Sequence, residues 1–91
     1  MKVLAVCGMG LGSSLILKMN IEKAMEEEGI KGTVEVRDLS SIQGERADFI
    51  FASEEIAAKI EHNAEVYSVK NMTDKKEIKE KILEASQRGE N

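Results

Sequence analysis

The sequence predicts an α/β fold of three layers, in which a four-stranded parallel sheet with the order 2-1-3-4 lies between helices. Strand-like segments, at residues 2–6, 33–37, 47–52 and 65–69, alternate with segments of helical spacing. Such alternation is typical of a parallel sheet covered by helices on both faces. The first segment is apolar throughout, which favours a central strand, and right-handed crossovers then place the second strand beside it. Val34 and Val36 alternate with charged residues, as expected of an edge strand.

Three segments predict helices. The first follows Ser13 or Ser14, either of which would cap it, and ends near residue 28, before Gly29. The second runs from residue 54 to about residue 62 after a cap at Ser53, and the third runs from residue 75 to about residue 87 after Asp74. Apolar residues recur at i, i+4 and i+7 in the first and last helices, which places them in the core: Leu17, Ile21 and Ala24, and Ile78, Ile82 and Ala85.

Composition restricts the classes of protein. The chain has 91 residues, 42% of them apolar and 33% charged, which suits one domain spanning residues 1–91. A net charge of −4, with only two phenylalanines and one tyrosine, disfavours a nucleic-acid partner. No apolar run approaches the roughly 20 residues that span a bilayer, and no segment resembles a secretory signal. With its single cysteine, we expect a cytoplasmic protein without direct membrane insertion.

The segment around the cysteine is the candidate site. Four apolar residues lead into a cysteine, three alternating glycines and two serines: Cys7, Gly8, Met9, Gly10, Leu11, Gly12, Ser13 and Ser14. Glycines leave backbone N–H groups uncovered, and the start of the next helix adds unpaired N–H groups and a positive dipole end. We therefore expect residues Gly8 to Ser14 to bind phosphate, with Cys7 as a nucleophile just after the strand, facing a ligand crevice. The same positive field favours the thiolate.

Other phosphate-binding loops fit this spacing less well. A dinucleotide fingerprint needs a glycine where this chain has Ser13 or Leu15, and a Walker loop needs a lysine after its last glycine. A cysteine phosphatase would share the Rossmann-like, phosphatase-like fold, but it needs an arginine where this chain has Ser13. The loop favours a phosphoryl carrier that transfers poorly to water. A small cysteine-dependent phosphatase or an arsenate-reductase-like enzyme is the alternative.

Apolar residues near the loop suggest a docking surface. Met9 and Leu11 lie in a loop that we expect to be exposed, and Leu15 and Met19 follow on the first helix. His62 is the only histidine and lies near no second histidine or cysteine, so the sequence predicts no metal site and no cofactor.

The chain resembles the enzyme IIB component of the bacterial sugar phosphotransferase system (PTS), and the ascorbate-type branch in particular, with galactitol and mannitol types as relatives. The family pattern is carried by Cys7-Gly8-x-Gly10-x-Gly12-Ser13-Ser14 after an apolar strand. The branch is indicated by two further segments, Ala47-Asp48-(apolar)3-Ala52-Ser53 and Lys70-Asn71-Met72.

This resemblance implies a function. Cys7 would take a phosphoryl group from a phosphohistidine of enzyme IIA, as a phosphocysteine intermediate. It would then pass the group to a sugar, ascorbate first among them, that is held by the membrane permease, enzyme IIC. The protein would thus be a sugar phosphotransferase without a cofactor, and its partners would be enzymes IIA and IIC.

Overall fold

The structure, a computed structural model, describes residues 1–8, 12–71 and 73–89, with the side chains of residues 12, 13, 88 and 89 left aside. Its strands are β1 (Lys2–Cys7), β2 (Thr33–Asp38), β3 (Phe49–Ser53) and β4 (Glu65–Val69). Its helices are α1 (Gly12–Glu27), α2 (Glu54–Ala57) and α3 (Lys75–Gly89), and a 3-10 turn at Leu39–Ser41 follows β2. Within these described residues, no helix is long and apolar enough to cross a membrane.

The strands form one parallel sheet in the order β2-β1-β3-β4, which confirms the predicted topology. β1 is central, as its apolar sequence indicates, and β2 is an edge strand. Pairing between β1 and β2 continues to the end of both strands, where Cys7 lies opposite Asp38. The carboxyl end of β1 therefore lies at the edge of the sheet where α/β proteins bind their ligands.

Two apolar clusters cover the two faces of the sheet. Alternate residues of β1 point to opposite faces, so Val3 and Ala5 enter one cluster while Leu4 and Val6 enter the other. The first cluster contains every residue of the two predicted helix stripes, all buried: Leu17, Ile21, Ala24, Ile78, Ile82 and Ala85. The second includes residues of α2. Helices thus lie on both faces, as predicted.

Of the two predicted ends of α1, only the C-terminal end is confirmed. Gly29 has a φ of +69°, and the Ile30 N–H donates to the Met25 carbonyl at 2.8 Å, which closes the helix as predicted. The helix begins at Gly12, however, so Ser13 and Ser14 lie inside its first turn. The prediction that one of them caps the helix is wrong, because a cap residue precedes the helical backbone rather than belonging to it.

The second helix is shorter than predicted. Ser53 caps α2 as expected, since its Oγ accepts from the Ile56 N–H at 3.3 Å. The helix ends at Ala57 instead of near His62. His62 is held outside the helix: its Nε2 lies 2.7 Å from the Glu45 carbonyl, and its Nδ1 accepts from the Ala64 N–H at 2.9 Å. The first of these contacts joins His62 to a distant segment, and the second is local.

Asp74 and Glu77 have the spacing of a capping box before α3, and half of that box is formed. Asp74 accepts from the N–H groups of Lys76 and Glu77 and so caps the helix. The Glu77 carboxylate does not return to Asp74. It accepts from the N–H groups of Lys70 and Asn71, at 2.8 Å and 3.1 Å, and thereby fixes the loop that follows β4.

Candidate functional site

Cys7 is the last residue of β1 rather than the first residue after it. Its side chain is only 4% exposed, and its Sγ lies 3.7 Å from the Arg37 carbonyl oxygen, to which the thiol donates a weak hydrogen bond. The thiol is thus buried in the free protein, and that it faces a ligand crevice stays a prediction. Because the strand is one residue longer than predicted, the cysteine stays within the sheet, where β2 supplies it with a hydrogen-bond acceptor.

β1 and β3 separate next to the cysteine. These strands pair from Val3 with Phe49 to Ala5 with Phe51. Among the described residues, the last part of β1 pairs only with β2, while β3 continues along β4 as far as Ser53 and Val69. The sheet therefore opens between the two central strands just before Cys7. This is the switch point at which an open parallel sheet forms its ligand crevice.

The N-terminus of α1 lies a short loop away from the cysteine. A helix start presents N–H groups that have no partner within the helix, together with the positive end of the helix dipole. The first turn of α1 contains no acidic residue that would occupy this position. A negatively charged ligand is thus favoured there on electrostatic grounds.

Ser14 adds a buried polar group to this end of α1. The residue is 0% exposed, and its Oγ has no hydrogen-bond partner among the residues that the structure describes. A buried hydroxyl without a partner costs about 1–3 kcal/mol, so such groups are uncommon unless a ligand completes them. The Ser14 Oγ is therefore a buried polar group that a ligand would complete.

The other residues predicted for the site fall into two groups. Gly8 follows Cys7 directly, and Gly12 and Ser13 lie in the first turn of α1. The remaining predicted positions, Met9, Gly10 and Leu11, lie outside the described residues. The structure thus brings Cys7, Gly8 and the first turn of α1 to one edge of the sheet.

Gly8 makes a close contact that the sequence does not reveal. A Cβ atom at this position would lie 2.6 Å from the Ile56 Cδ1 of α2 and 3.7 Å from its Cγ1. Because Cδ1 is the far end of a flexible side chain, a Cβ at Gly8 fits only when the Ile56 side chain moves. Nothing in the local sequence of either residue shows this contact, because it joins elements that are distant along the chain.

Arg37, the one arginine of β2, pairs with two glutamates. The Arg37 guanidinium donates to Glu45 at 2.8 Å and to Glu35 at 3.2 Å. The hydrogen bond with Glu45 raises the pKa of Arg37, and the same bond lowers the pKa of Glu45. The arginine is therefore held as part of an ion cluster with Lys2, which also pairs with both glutamates.

The carboxylates near the strand ends have structural partners. Asp38 accepts from the Ser40 N–H and from the hydroxyls of Ser40 and Ser41, and these hydroxyls lower the pKa of Asp38. Asp48 accepts from the Lys2 N–H at 2.7 Å. Asp38 thus serves a turn, and Asp48 serves the start of β1.

Three apolar side chains are exposed on α1 close to its N-terminus. Leu15 is 49% exposed, Ile16 is 45% exposed and Met19 is 66% exposed. They share one side of the helix, whereas Leu17 and Ile21 face the core. We call Leu15, Ile16 and Met19 the α1 patch. The predicted exposure of Met9 and Leu11 concerns positions outside the described residues.

Fold and site together define a class of protein: a parallel α/β fold with a cysteine at the switch point of the sheet, followed by a short glycine loop and a helix N-terminus. The chain belongs to the IIB family of the phosphotransferase system. The family model described as "PTS system, Lactose/Cellobiose specific IIB subunit" matches residues 2–84. The family predicted from the cysteine loop is thereby confirmed.

The names of individual relatives specify ascorbate rather than lactose or cellobiose. The chain is 32% identical over 84 residues to the ascorbate-specific PTS system EIIB component of Mycoplasma pneumoniae, with 88% of each chain covered. It is 37% identical over 87 residues to the proteins of that name from Salmonella typhimurium and Escherichia coli O157:H7, covering 91% of this chain and 86% of theirs. Family membership gives this chain the role of a PTS phosphoryl carrier.

Proposed function

We propose that Cys7 is the residue that carries the phosphoryl group, taken from a phosphohistidine of enzyme IIA and passed to a sugar held by enzyme IIC. The observation that carries this proposal is the position of the thiol at the end of β1, where the sheet opens and α1 begins. It is the only cysteine of the chain. The chain would act as a single domain over residues 1–91, in the cytoplasm.

Each transfer exchanges one bond to phosphorus. In the first, the sulfur of Cys7 forms an S–P bond while the N–P bond of the phosphohistidine breaks, and the thiol proton ends on the imidazole nitrogen that lost phosphorus. In the second, a sugar hydroxyl forms an O–P bond while the S–P bond breaks, and the hydroxyl proton ends on the sulfur. Both steps need stabilisation of the charge on the phosphoryl oxygens.

The residues that follow Cys7 would supply this stabilisation. We assign phosphate binding to the backbone N–H groups from Gly8 to Ser14 and to the Ser14 hydroxyl. The uncharged first turn of α1 and the unpartnered Ser14 Oγ support this assignment. A phosphoryl oxygen that accepts a hydrogen bond from the Ser14 hydroxyl would give this group a partner. The cost of burying the hydroxyl would then be offset when phosphate binds.

Access to the sulfur requires a change at the loop. The thiol is buried and donates to the Arg37 carbonyl. A thiolate has no proton to donate, so ionisation removes this hydrogen bond and frees the sulfur to turn from β2. Enzyme IIA, when it docks on the α1 patch beside the loop, would stabilise the accessible arrangement.

Ascorbate is the acceptor that we propose first. The support comes from the names of the relatives, which cover most of this chain at 32% and 37% identity. The family model names lactose and cellobiose instead. The permease also contacts the sugar, so acceptor specificity is best measured with all three sugars.

The test is a stepwise reconstitution. Wild type and Cys7→Ser are incubated with phosphorylated enzyme IIA, and their intact masses are compared. We expect one phosphoryl group on the wild type and none on the variant. Equal uptake by both proteins contradicts the assignment of Cys7.

The second stage adds permease vesicles and a sugar, leaving out one component at a time. Phosphorylated sugar should form only when donor, this protein and permease are all present. An aryl phosphate serves as the control substrate. Efficient hydrolysis of it by this protein alone, abolished by Cys7→Ser, would identify the phosphatase of the alternative hypothesis.

A further inference from the structure

A side chain of α2 contacts the backbone close to where β1 and β3 stop pairing. Beyond Ala5 and Phe51 the two strands no longer pair within the described part of the chain, and Gly8 follows the end of β1. The side chain is that of Ile56, with its Cδ1 at 2.6 Å from the place of a Cβ on Gly8. The backbone of Gly8 is therefore in direct contact with one methyl group.

Two independent supports fix the position of Ile56. Its N–H donates to the Oγ of Ser53, the last residue of β3, so the start of α2 is tied to the sheet. Its side chain packs against the apolar cluster that contains Leu4 and Val6 of β1. The methyl group that meets Gly8 is thus held from the backbone and from the core at once.

We propose that Ile56 is a positioning residue of the site, which acts through Gly8 to hold the backbone that directly follows Cys7. This inference rests on the proposed function of Cys7. The N–H groups of the loop stabilise a phosphoryl group only when they point at it, and a misplacement of about 1 Å can reduce a rate by about 100-fold. The contact between the Ile56 methyl group and Gly8, the residue directly after Cys7, limits such displacement.

The first test removes only the contacting atom. Ile56→Val deletes Cδ1, and Ile50→Val is the control, since Ile50 belongs to the same cluster and is fully buried. We expect Ile56→Val to lower the rate constant of phosphoryl uptake at saturating donor by about tenfold, with an unchanged KM, by loss of orientation. Ile50→Val should leave the rate constant within about twofold. Equal effects of both variants on the rate constant overturn the proposal.

The second test substitutes both partners of the contact, first Gly8 alone and then Gly8 together with Ile56. Gly8→Ala places a Cβ against Ile56 and should slow phosphoryl uptake strongly. Adding Ile56→Val removes the atom at 2.6 Å and leaves the next one at 3.7 Å, an ordinary contact distance. The double variant should therefore be faster than Gly8→Ala alone. A double variant as slow as, or slower than, Gly8→Ala alone contradicts the proposed role.

A measurement that does not involve phosphate distinguishes failure of this inference from failure of the proposed function. Cys7 is buried beside the loop, so a less constrained loop should increase its rate of alkylation by iodoacetamide. We expect a higher alkylation rate for Ile56→Val and an unchanged rate for Ile50→Val. If Cys7 never takes up phosphate but this difference holds, the proposed function fails while the positioning of the loop stands. If uptake occurs but alkylation is the same in both variants, Ile56 does not position the loop.

Discussion

Replacing Ser14 by alanine should stabilise the protein and slow its reaction at the same time. The Oγ of Ser14 is fully buried and lacks a partner within the described residues. Its removal ends a desolvation cost of about 1–3 kcal/mol, and alanine is a better helix former by up to about 0.5 kcal/mol. The small void left by the oxygen offsets part of this gain.

We therefore expect Ser14→Ala to increase the free energy of unfolding by about 1 kcal/mol. For a domain of this length, such an increase corresponds to a rise of about 4–8 °C in the melting temperature. The phosphoryl group would lose one hydrogen bond from a hydroxyl to a charged acceptor, which contributes about 1.5–3 kcal/mol. If that bond forms fully in the transition state, uptake of phosphate should slow by about 10- to 150-fold.

The assays are thermal unfolding followed by circular dichroism and phosphoryl uptake measured by intact mass over time. Ser53→Ala is the matched control, because Ser53 caps α2 and the loss of a cap costs about 1 kcal/mol. The two serine substitutions should thus shift the melting temperature in opposite directions. A Ser14→Ala variant that melts below the wild type, or that takes up phosphate at the wild-type rate, refutes the assignment of this hydroxyl.

Two further predictions concern charge and docking. The hydrogen bond from Arg37 lowers the pKa of Glu45 below 4.5, so its contribution to stability is full above that pH and is lost as the pH falls through the lowered value. Between about pH 7 and pH 3, the melting temperature of Glu45→Gln should therefore fall less steeply with acid than that of the wild type. Equally steep falls contradict the prediction. Met19→Lys should raise the KM for phosphorylated enzyme IIA by about tenfold, the effect of losing a contact of about 1.4 kcal/mol, without slowing alkylation of Cys7. Glu27→Lys, at the far end of α1, is its control, and equal KM values for both variants argue against docking on the α1 patch.

The sequence predicts those parts of the fold that periodicity encodes. The apolar stripes of α1 and α3 mark the first core cluster, because a helix that buries one face repeats its apolar residues at a fixed spacing. The uninterrupted apolar run of β1 indicates a strand buried on both faces, and with it the order of the sheet. These features depend on local sequence alone.

Contacts between distant segments explain what the sequence does not predict. His62 lies outside α2, where its Nε2 contacts the Glu45 carbonyl, and this contact has no sequence signature. Ser14 has the residue type of a cap, yet it lies within α1 and is buried. The contact between Gly8 and Ile56 lies close to where β1 and β3 stop pairing, which follows from the three-dimensional register of the sheet.

Under the proposed function, the sulfur of Cys7 meets enzyme IIA first and the permease second. Its hydrogen bond to Arg37 gives the thiol state and the phosphorylated state of the protein different structures. The free thiol can donate to the Arg37 carbonyl, as it does here. A phosphorylated sulfur has no proton to donate and brings negative charge toward a carbonyl oxygen, so it cannot keep this position. Phosphorylation must therefore reorient Cys7 and the loop that begins at Gly8. A donor that binds the thiol state and a permease that binds the phosphorylated state would each gain affinity from this difference.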